Sequence, residues 1–208
     1  MKENKSKVII TSIVTVFPMF IGFLLWNRLP DEIATHFSGG VADGWSTKLS
    51  AVVFLPVVLF VIHLFCLGVT LNDPKKRNIG NMMMSVIFWI VPVLSLVSNL
   101  SIYGYALGMD LNIDMIVGIL VGVLFLLLGN YMSKSHQNYT VGIKLPWTLN
   151  SEENWNRTHR LAGKLWIFAG ILFIGNIFFE NWLIPFVVMI AVVVIPMVYS
   201  FLLYKKGI

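Results

Sequence analysis

The sequence is short of charge and almost free of cysteine. Only 12% of its 208 residues are Asp, Glu, Lys or Arg and 57% are hydrophobic, whereas a soluble domain carries roughly a quarter charged residues. With a mean hydropathy of +0.81, this composition excludes a soluble globular domain and indicates a polytopic membrane protein. The single cysteine, Cys66, excludes an intramolecular disulfide and therefore a secreted disulfide scaffold.

Long apolar windows make up most of the chain. A helix needs about 17 to 25 apolar residues to cross a hydrocarbon core. Six windows meet this length and predict an all-α fold of six transmembrane helices at residues 8–26, 49–71, 80–107, 115–132, 161–179 and 182–204. Because no segment between the windows is long enough to build a core of its own, we expect a single transmembrane domain over residues 1–208.

The positions of the basic residues predict the orientation. All but two of the 15 Lys and Arg residues lie at the two ends of the chain, between the second and third windows, or within residues 133–164; the exceptions are Arg28 and Lys48. The positive-inside rule therefore places both termini and the 133–160 loop in the cytoplasm and the 27–48 loop outside. Such juxtamembrane cations suit lipid headgroups, so we expect contacts with membrane lipids and no direct binding to nucleic acid.

The predicted outward loop has the composition of an ordered recognition surface. Gly39-Gly40 and Asp43-Gly44 favour turns, while Ile33, Phe37 and Trp45 can pack a compact loop. Its acids and His36 show neither the spacing of a metal site nor a nucleophile placed beside a base, so we expect no cofactor, no metal and no enzymatic activity. The candidate ligand-binding residues are Asp31, His36, Phe37, Asp43, Trp45 and Lys48.

The predicted cytoplasmic loop contains a helix start. Ser151 followed by Glu152 and Glu153 places an N-cap and two acids where the helix dipole favours them, which predicts an interfacial helix leading into the fifth span. Before it, residues 144–148 predict an extended segment with an exposed indole at Trp147, serving either as an interface anchor or as a partner contact. The candidate partner-binding residues are Lys144, Pro146, Trp147, Thr148, Trp155 and Arg160.

Three further features concern the predicted helices and their arrangement. His63 is an ionisable residue inside the second window, which makes it a functional candidate by default, although a neutral imidazole could simply bond to Ser85, Asn99, Asn130 or Asn176. Gly118, Gly122 and Gly129 predict close helix packing in the fourth window. Each long loop follows the first helix of a three-helix half, a spacing that suggests an inverted-topology repeat.

Two motifs resemble the SdpI family of bacterial membrane proteins. The first consists of Leu29-Pro30, His36-Phe37, Asp43-Gly44-Trp45 and Lys48, and the second of Asn138, Gly142-Ile143-Lys144, Pro146-Trp147-Thr148-Leu149, Trp155 and Arg160. The chain departs from the family pattern at Lys144-Leu145, where Arg and a small polar residue are expected. The resemblance implies an immunity protein, since the best-known member protects its producer from a secreted toxin peptide. When toxin is present, that member also holds a transcriptional repressor at the membrane.

Two other functions stay open at this point. A small transporter or lipid-handling protein would use the possible repeat, the prolines within the windows and His63, but no acidic residue lies in any window to couple ion flow. A membrane enzyme acting through the outward loop would require a bound metal or an activated nucleophile.

Overall fold

The computed structural model of the chain describes residues 2–179 and 181–208. Its helices are α1 (Lys2–Leu24), α2 (Leu55–Leu71), α3 (Asn81–Ala106), α4 (Ile113–Met132), α5 (Pro146–Asn150), α6 (Glu152–Gly175) and α7 (Leu183–Lys205). A turn of π-helix, Ser50–Phe54, leads into α2, and short 3-10 turns occupy Lys76–Asn78 and Asn176–Phe178. Strands β1 (Glu32–Ser38) and β2 (Val41–Thr47) form an antiparallel hairpin.

Within the residues that the structure describes, six helices are long and apolar enough to cross a membrane, as predicted. Their spans are Lys5–Leu24, Ser50–Leu71, Asn81–Ala106, Ile113–Met132, Glu152–Phe178 and Leu183–Lys205. The largest difference is in the fifth, where the predicted interfacial helix and the span form one continuous helix that begins at Glu152. Ser151 caps it by accepting a hydrogen bond from Asn154 N, and the sequence contains no Pro to interrupt the helix after that point.

In the described part of the chain, the hairpin departs from the all-α prediction. Only Gly39 and Gly40 separate the paired residues Ser38 and Val41, and both glycines have positive φ, 56° and 78°. A two-residue turn with two positive φ values matches the right-handed twist of the flanking strands, so Gly-Gly at this position directs the chain into a hairpin.

The described residues group into two compact units. The first runs from the start of the chain to Gly68 and includes Ile87–Ile116; the second contains Val69–Val86 and Val117–Ile208. In the first unit, the buried core beside the hairpin consists of Leu29, Ile33, Ala51, Val52, Ile102 and Tyr103. The single-domain prediction stays a prediction.

Glycines hold α4 close to α6 in the second unit. A Cβ on Gly129 would lie 2.8 Å from the carbonyl oxygen of Gly163, and a Cβ on Gly170 would lie 2.6 Å from that of Gly122. The two glycines of α4 lie seven residues apart, and so do the two glycines of α6. The two pairs therefore let the helix backbones touch, and this agrees with the packing predicted for α4. Phe125, Ala169, Phe173 and Val192 form the adjoining buried cluster.

Candidate functional site

The hairpin brings together residues that the sequence only suggested were near one another. Its register pairs Ala34 with Trp45 and His36 with Gly44, and two irregularities leave Thr35 on β1 and Asp43 on β2 without a directly opposed residue. Such bulges re-aim side chains. Asp43 Oδ1 consequently lies 2.5 Å from His36 Nδ1.

Three of the predicted ligand-binding residues hold the hairpin in place. Lys48 N donates to Asp31 O at 2.8 Å, and Lys48 Nζ lies 3.0 Å from Asp31 Oδ1 and 5.4 Å from the centre of the Trp26 ring. Phe37 packs edge-on against Tyr105, with ring centres 4.9 Å apart. Phe37 and the backbone bond from Lys48 to Asp31 therefore hold the strands in place, whereas the Asp31 carboxylate itself is fully exposed.

The other three form an exposed face. The side chains of His36 and Asp43 are 73% and 46% exposed, and Trp45 is 58% exposed. An exposed indole and a paired carboxylate and imidazole on the same hairpin offer apolar contact area together with hydrogen-bonding groups, and an exposed aromatic residue is a typical anchor for a binding partner. Because Ile33 on the same hairpin is fully buried, this face is presented from a fixed base. We call His36, Asp43 and Trp45 the hairpin face.

In the second unit, Asn138 shapes the start of the 133–160 segment. Its Oδ1 accepts from Thr140 N and Val141 N, at 3.0 and 2.7 Å, and its Nδ2 donates to Ser135 Oγ and His136 O. Asn138 is fully buried. An Asn side chain that accepts from the amide two residues on makes an Asx-turn, so this residue sets the fold of the loop.

His159 pins the next turn of the loop to α6. Its Nε2 accepts from Ile143 N at 2.9 Å, so Nε2 carries no proton and Nδ1 donates to Trp155 O at 2.8 Å. The ring stacks on Trp155 at 3.9 Å between centres, and Trp155 Nε1 donates to Ser135 O. Both rings are buried, which makes them supports of the loop.

Thr148 closes the same loop. Its Oγ1 donates to Ile143 O at 2.7 Å and accepts from Leu145 N at 2.9 Å. Residues 144–148 were predicted to be extended, and this is wrong from Pro146 onward. Pro146 begins the short helix α5, where its fixed φ and missing N–H suit the first turn.

Trp147 is not the exposed indole that the sequence predicted. It is half-buried, its Nε1 donates to Ser200 Oγ of α7 at 3.0 Å, and its ring packs against Phe201 and Tyr204. Lys144, Pro146 and Arg160 are the three predicted partner-binding residues that are exposed. We call these three the loop face.

The predicted site residues did not include three supports of the loop, namely Asn138, Asp73 and His159. Asp73 is buried, and its Oδ2 accepts from Tyr139 N and Thr140 Oγ1 while its Oδ1 accepts from Lys75 N. The sequence offers one signal for Asp73, an acid two residues before three consecutive cations in a short connection. His159, at the start of an apolar helix, gives no such signal.

His63 has a different partner from those predicted. Its Nε2 lies 3.0 Å from Thr11 Oγ1, on α1 of the same unit. Among the described residues, no group of three or more His, Cys, Asp and Glu side chains is arranged to hold a metal ion.

Comparison with known proteins identifies the relatives of this chain. Residues 134–200 match the SdpI/YfhL protein family. The chain is also 29% identical over 213 residues to Immunity protein SdpI of Bacillus subtilis (strain 168), covering 99% of this chain and 98% of that protein. The resemblance to the SdpI family is confirmed.

The SdpI-family match and a second family match cover different parts of the chain, and each part contains one of the two candidate sites. Residues 13–60, which include the hairpin, match a domain of unknown function, DUF1648, whereas the SdpI-family match begins at Lys134 and includes the loop face. No solved structure matches the chain. Six helices of the described residues are apolar enough to span a membrane, and with the similarity to Immunity protein SdpI they indicate that the chain is a multi-pass bacterial membrane protein.

Proposed function

We propose that this SdpI-family chain is a non-enzymatic immunity protein that protects the cell from a secreted toxin peptide through the hairpin face. The observation that carries the proposal is the exposed trio of His36, Asp43 and Trp45 on strands held by buried Ile33 and by the Asp31–Lys48 contact. The similarity to Immunity protein SdpI supports it over nearly the whole chain.

The proposed orientation puts the hairpin face outside and the loop face in the cytoplasm. The support is the distribution of Lys and Arg, because translocating cations across the membrane is disfavoured. An outward hairpin would meet the toxin at the membrane surface, where an exposed indole is well suited to bind an amphipathic peptide.

Survival under toxin challenge tests the proposed function. A sensitive bacterial strain expressing the chain is exposed to secreted toxin peptides of the kind that SdpI-family proteins counter, beside strains expressing Asp43→Ala, Trp45→Ala and the matched control Asp110→Ala. Asp110 is an exposed acid of the same unit that lies outside the hairpin. We expect protection by the native chain and the control and its loss in the two hairpin variants. Equal protection by all four would contradict a toxin site on the hairpin face.

We further propose that the loop face contacts a cytoplasmic protein, such as a transcriptional repressor held at the membrane when toxin is bound. Lys144 is exposed on a loop whose shape is fixed by Asn138 and His159, Pro146 is exposed at the start of α5, and Arg160 is exposed on α6. Fixed loops that present charged groups are suited to such recognition.

Transcript measurements separate this second role from protection. With Lys144→Ala and Arg160→Ala together, we expect survival to stay normal and the toxin-dependent change in transcripts to be lost, while the exposed control Asn156→Ala retains both. A transcript response that persists in the double variant would refute the contact.

A further inference from the structure

A line of buried polar side chains runs along α1, α2 and α3 within the first unit. His63 meets Thr11, Thr15 Oγ1 donates to Thr11 O at 2.8 Å, Ser95 Oγ donates to Thr15 O at 2.7 Å, and Asn99 Nδ2 donates to Ser95 O at 2.8 Å. Each of these five residues is at most 1% exposed. We call them the polar track.

The donor and acceptor roles of these side chains show which atoms of the polar track are acceptors without an assigned donor. Lys7 O, 2.8 Å from Thr11 Oγ1, can only accept, so the Thr11 proton is used there and His63 Nε2 must donate to Thr11. His63 Nδ1 is therefore an acceptor. Asn99 Nδ2 must likewise be the atom that faces Ser95 O, which leaves Asn99 Oδ1 as an acceptor.

Neither acceptor has a donor within the part of the chain that the structure describes, and the hydroxyl of Tyr103 is also unpaired there. Tyr103 follows Asn99 by four residues, a spacing that puts their side chains on one face of α3. The Tyr103 Oη lies 2.9 Å from where a Cβ on Gly22 of α1 would be. An unmet acceptor and an unmet hydroxyl thus lie on the same face of α3, and the hydroxyl lies beside α1.

Pro18 interrupts the backbone hydrogen bonds in the adjoining stretch of α1. Because Pro18 has no N–H, the regular helical hydrogen bond to the carbonyl of Val14 is missing. This stretch lies between Thr15 and Gly22, the two points at which α1 approaches Ser95 and Tyr103. A buried polar group left unpaired is destabilising, and within a membrane span it has no bulk water to bind instead.

We propose that ordered water binds at Asn99 and Tyr103, between α1 and α3, and that a second water binds His63 Nδ1. Water suits both positions because it can donate to Asn99 Oδ1 while it accepts from Tyr103 Oη, and buried waters make about two to four such bonds. None of the groups is a carboxylate, so their chemistry does not favour a metal ion. The proposal is independent of the immunity function.

The hydrated site adjoins the root of the hairpin. Tyr103 belongs to the buried cluster that contains Ile33 of β1 and Val52. Water at Tyr103 would therefore lie next to the packing that fixes the hairpin face.

Water-edited solid-state NMR of the full chain in lipid bilayers tests the proposal. The rate of magnetisation transfer from water to the Asn99 side-chain amide and the Tyr103 ring is compared with transfer to Phe88 and Val91, which are buried on the same helix of the same unit. We expect fast transfer to Asn99, Tyr103 and the His63 ring and slow transfer to the two apolar controls. Equally slow transfer to all of them would mean a dry site and would overturn the proposal.

Two variants locate the water. Asn99→Leu removes the acceptor and should reduce transfer at Tyr103 to the rate of Val91, whereas Ser98→Ala, whose hydroxyl bonds to Leu94 O of its own helix, should leave Tyr103 unchanged. If Asn99→Leu folds and Tyr103 keeps its fast transfer, water is not held at this pair and the assignment is wrong. If that variant does not fold, the transfer rates of the native chain decide the question alone.

Discussion

At the scale of single residues, Gly142 is the glycine of the second unit at which an added Cβ would make the shortest contact. Its φ is +117°, and a Cβ there would lie 2.2 Å from His159 Nε2 and 3.0 Å from Trp155 Cη2. Since His159 is buried and stacked on Trp155, its ring has little freedom to move away. The geometry requires glycine at this position.

We predict that Gly142→Ala breaks the Ile143–His159 hydrogen bond and lowers stability by more than the about 1–3 kcal/mol that backbone strain alone costs. The matched control is Gly40→Ala, which has φ +78° with nothing within 4 Å of the added Cβ and so carries the strain without the clash. Thermal unfolding in detergent measures both. Equal losses in the two variants would show that the contact with His159 does not matter.

Thr148 provides a second prediction at this scale. Thr148→Val keeps the shape of the side chain but leaves Ile143 O and Leu145 N without their buried partner, and each unpaired group costs about 1–3 kcal/mol. We expect a clear fall in the unfolding temperature. Thr47→Val is the control, because Thr47 is exposed and accepts only one long bond, from Ser50 N at 3.3 Å.

For these residues, the sequence did not predict whether the side chain is exposed or which backbone group it contacts. Thr148 and Trp155 were predicted as partner contacts, yet both are buried and bond to Ile143 and Ser135. A motif shows that a residue matters, but exposure depends on which distant backbone groups the side chain reaches. The role of His159 depends on an amide 16 residues away, and no local pattern reveals such a bond.

At the scale of elements, the long helices were the most predictable part, because length and apolarity decide them. The hairpin was only implied by its turn residues. Gly39-Gly40 favours a two-residue turn, but Ile33 packs against residues far along the chain, and no local pattern reveals that contact. α6 continues through Leu161, and its buried residues Asn154 and Trp155 bond to Ser200 O and Ser135 O, which are 46 and 20 residues away.

The contact of α4 with α6 gives a prediction for elements. Gly129→Ala would place a methyl group 2.8 Å from both Gly163 O and Ile167 N, which are backbone atoms that cannot turn aside. Overpacking of this kind costs about 1–3 kcal/mol. Gly175→Ala, at the end of α6 with nothing within 4 Å, should be neutral or stabilising. An unfolding temperature unchanged by Gly129→Ala would contradict the close glycine packing.

At the scale of the whole molecule, both proposed roles depend on orientation. The physical basis is the asymmetry of Lys and Arg: only Arg28 and Lys48 adjoin the hairpin, whereas the ends of the chain and residues 133–164 hold most of the others. Cations are retained on the cytoplasmic side. We therefore expect the hairpin and the 133–160 segment on opposite sides of the membrane.

Cysteine labelling in intact cells measures this directly, because the chain has one cysteine to remove. In a Cys66→Ala background, Ser38→Cys and Glu152→Cys each place one thiol at an exposed position, on the hairpin and at the start of α6. A membrane-impermeant maleimide should label Ser38→Cys in intact cells and Glu152→Cys only after permeabilisation. The reverse pattern would place the hairpin face in the cytoplasm, where it could not meet a secreted toxin, and the proposed immunity mechanism would fail with it.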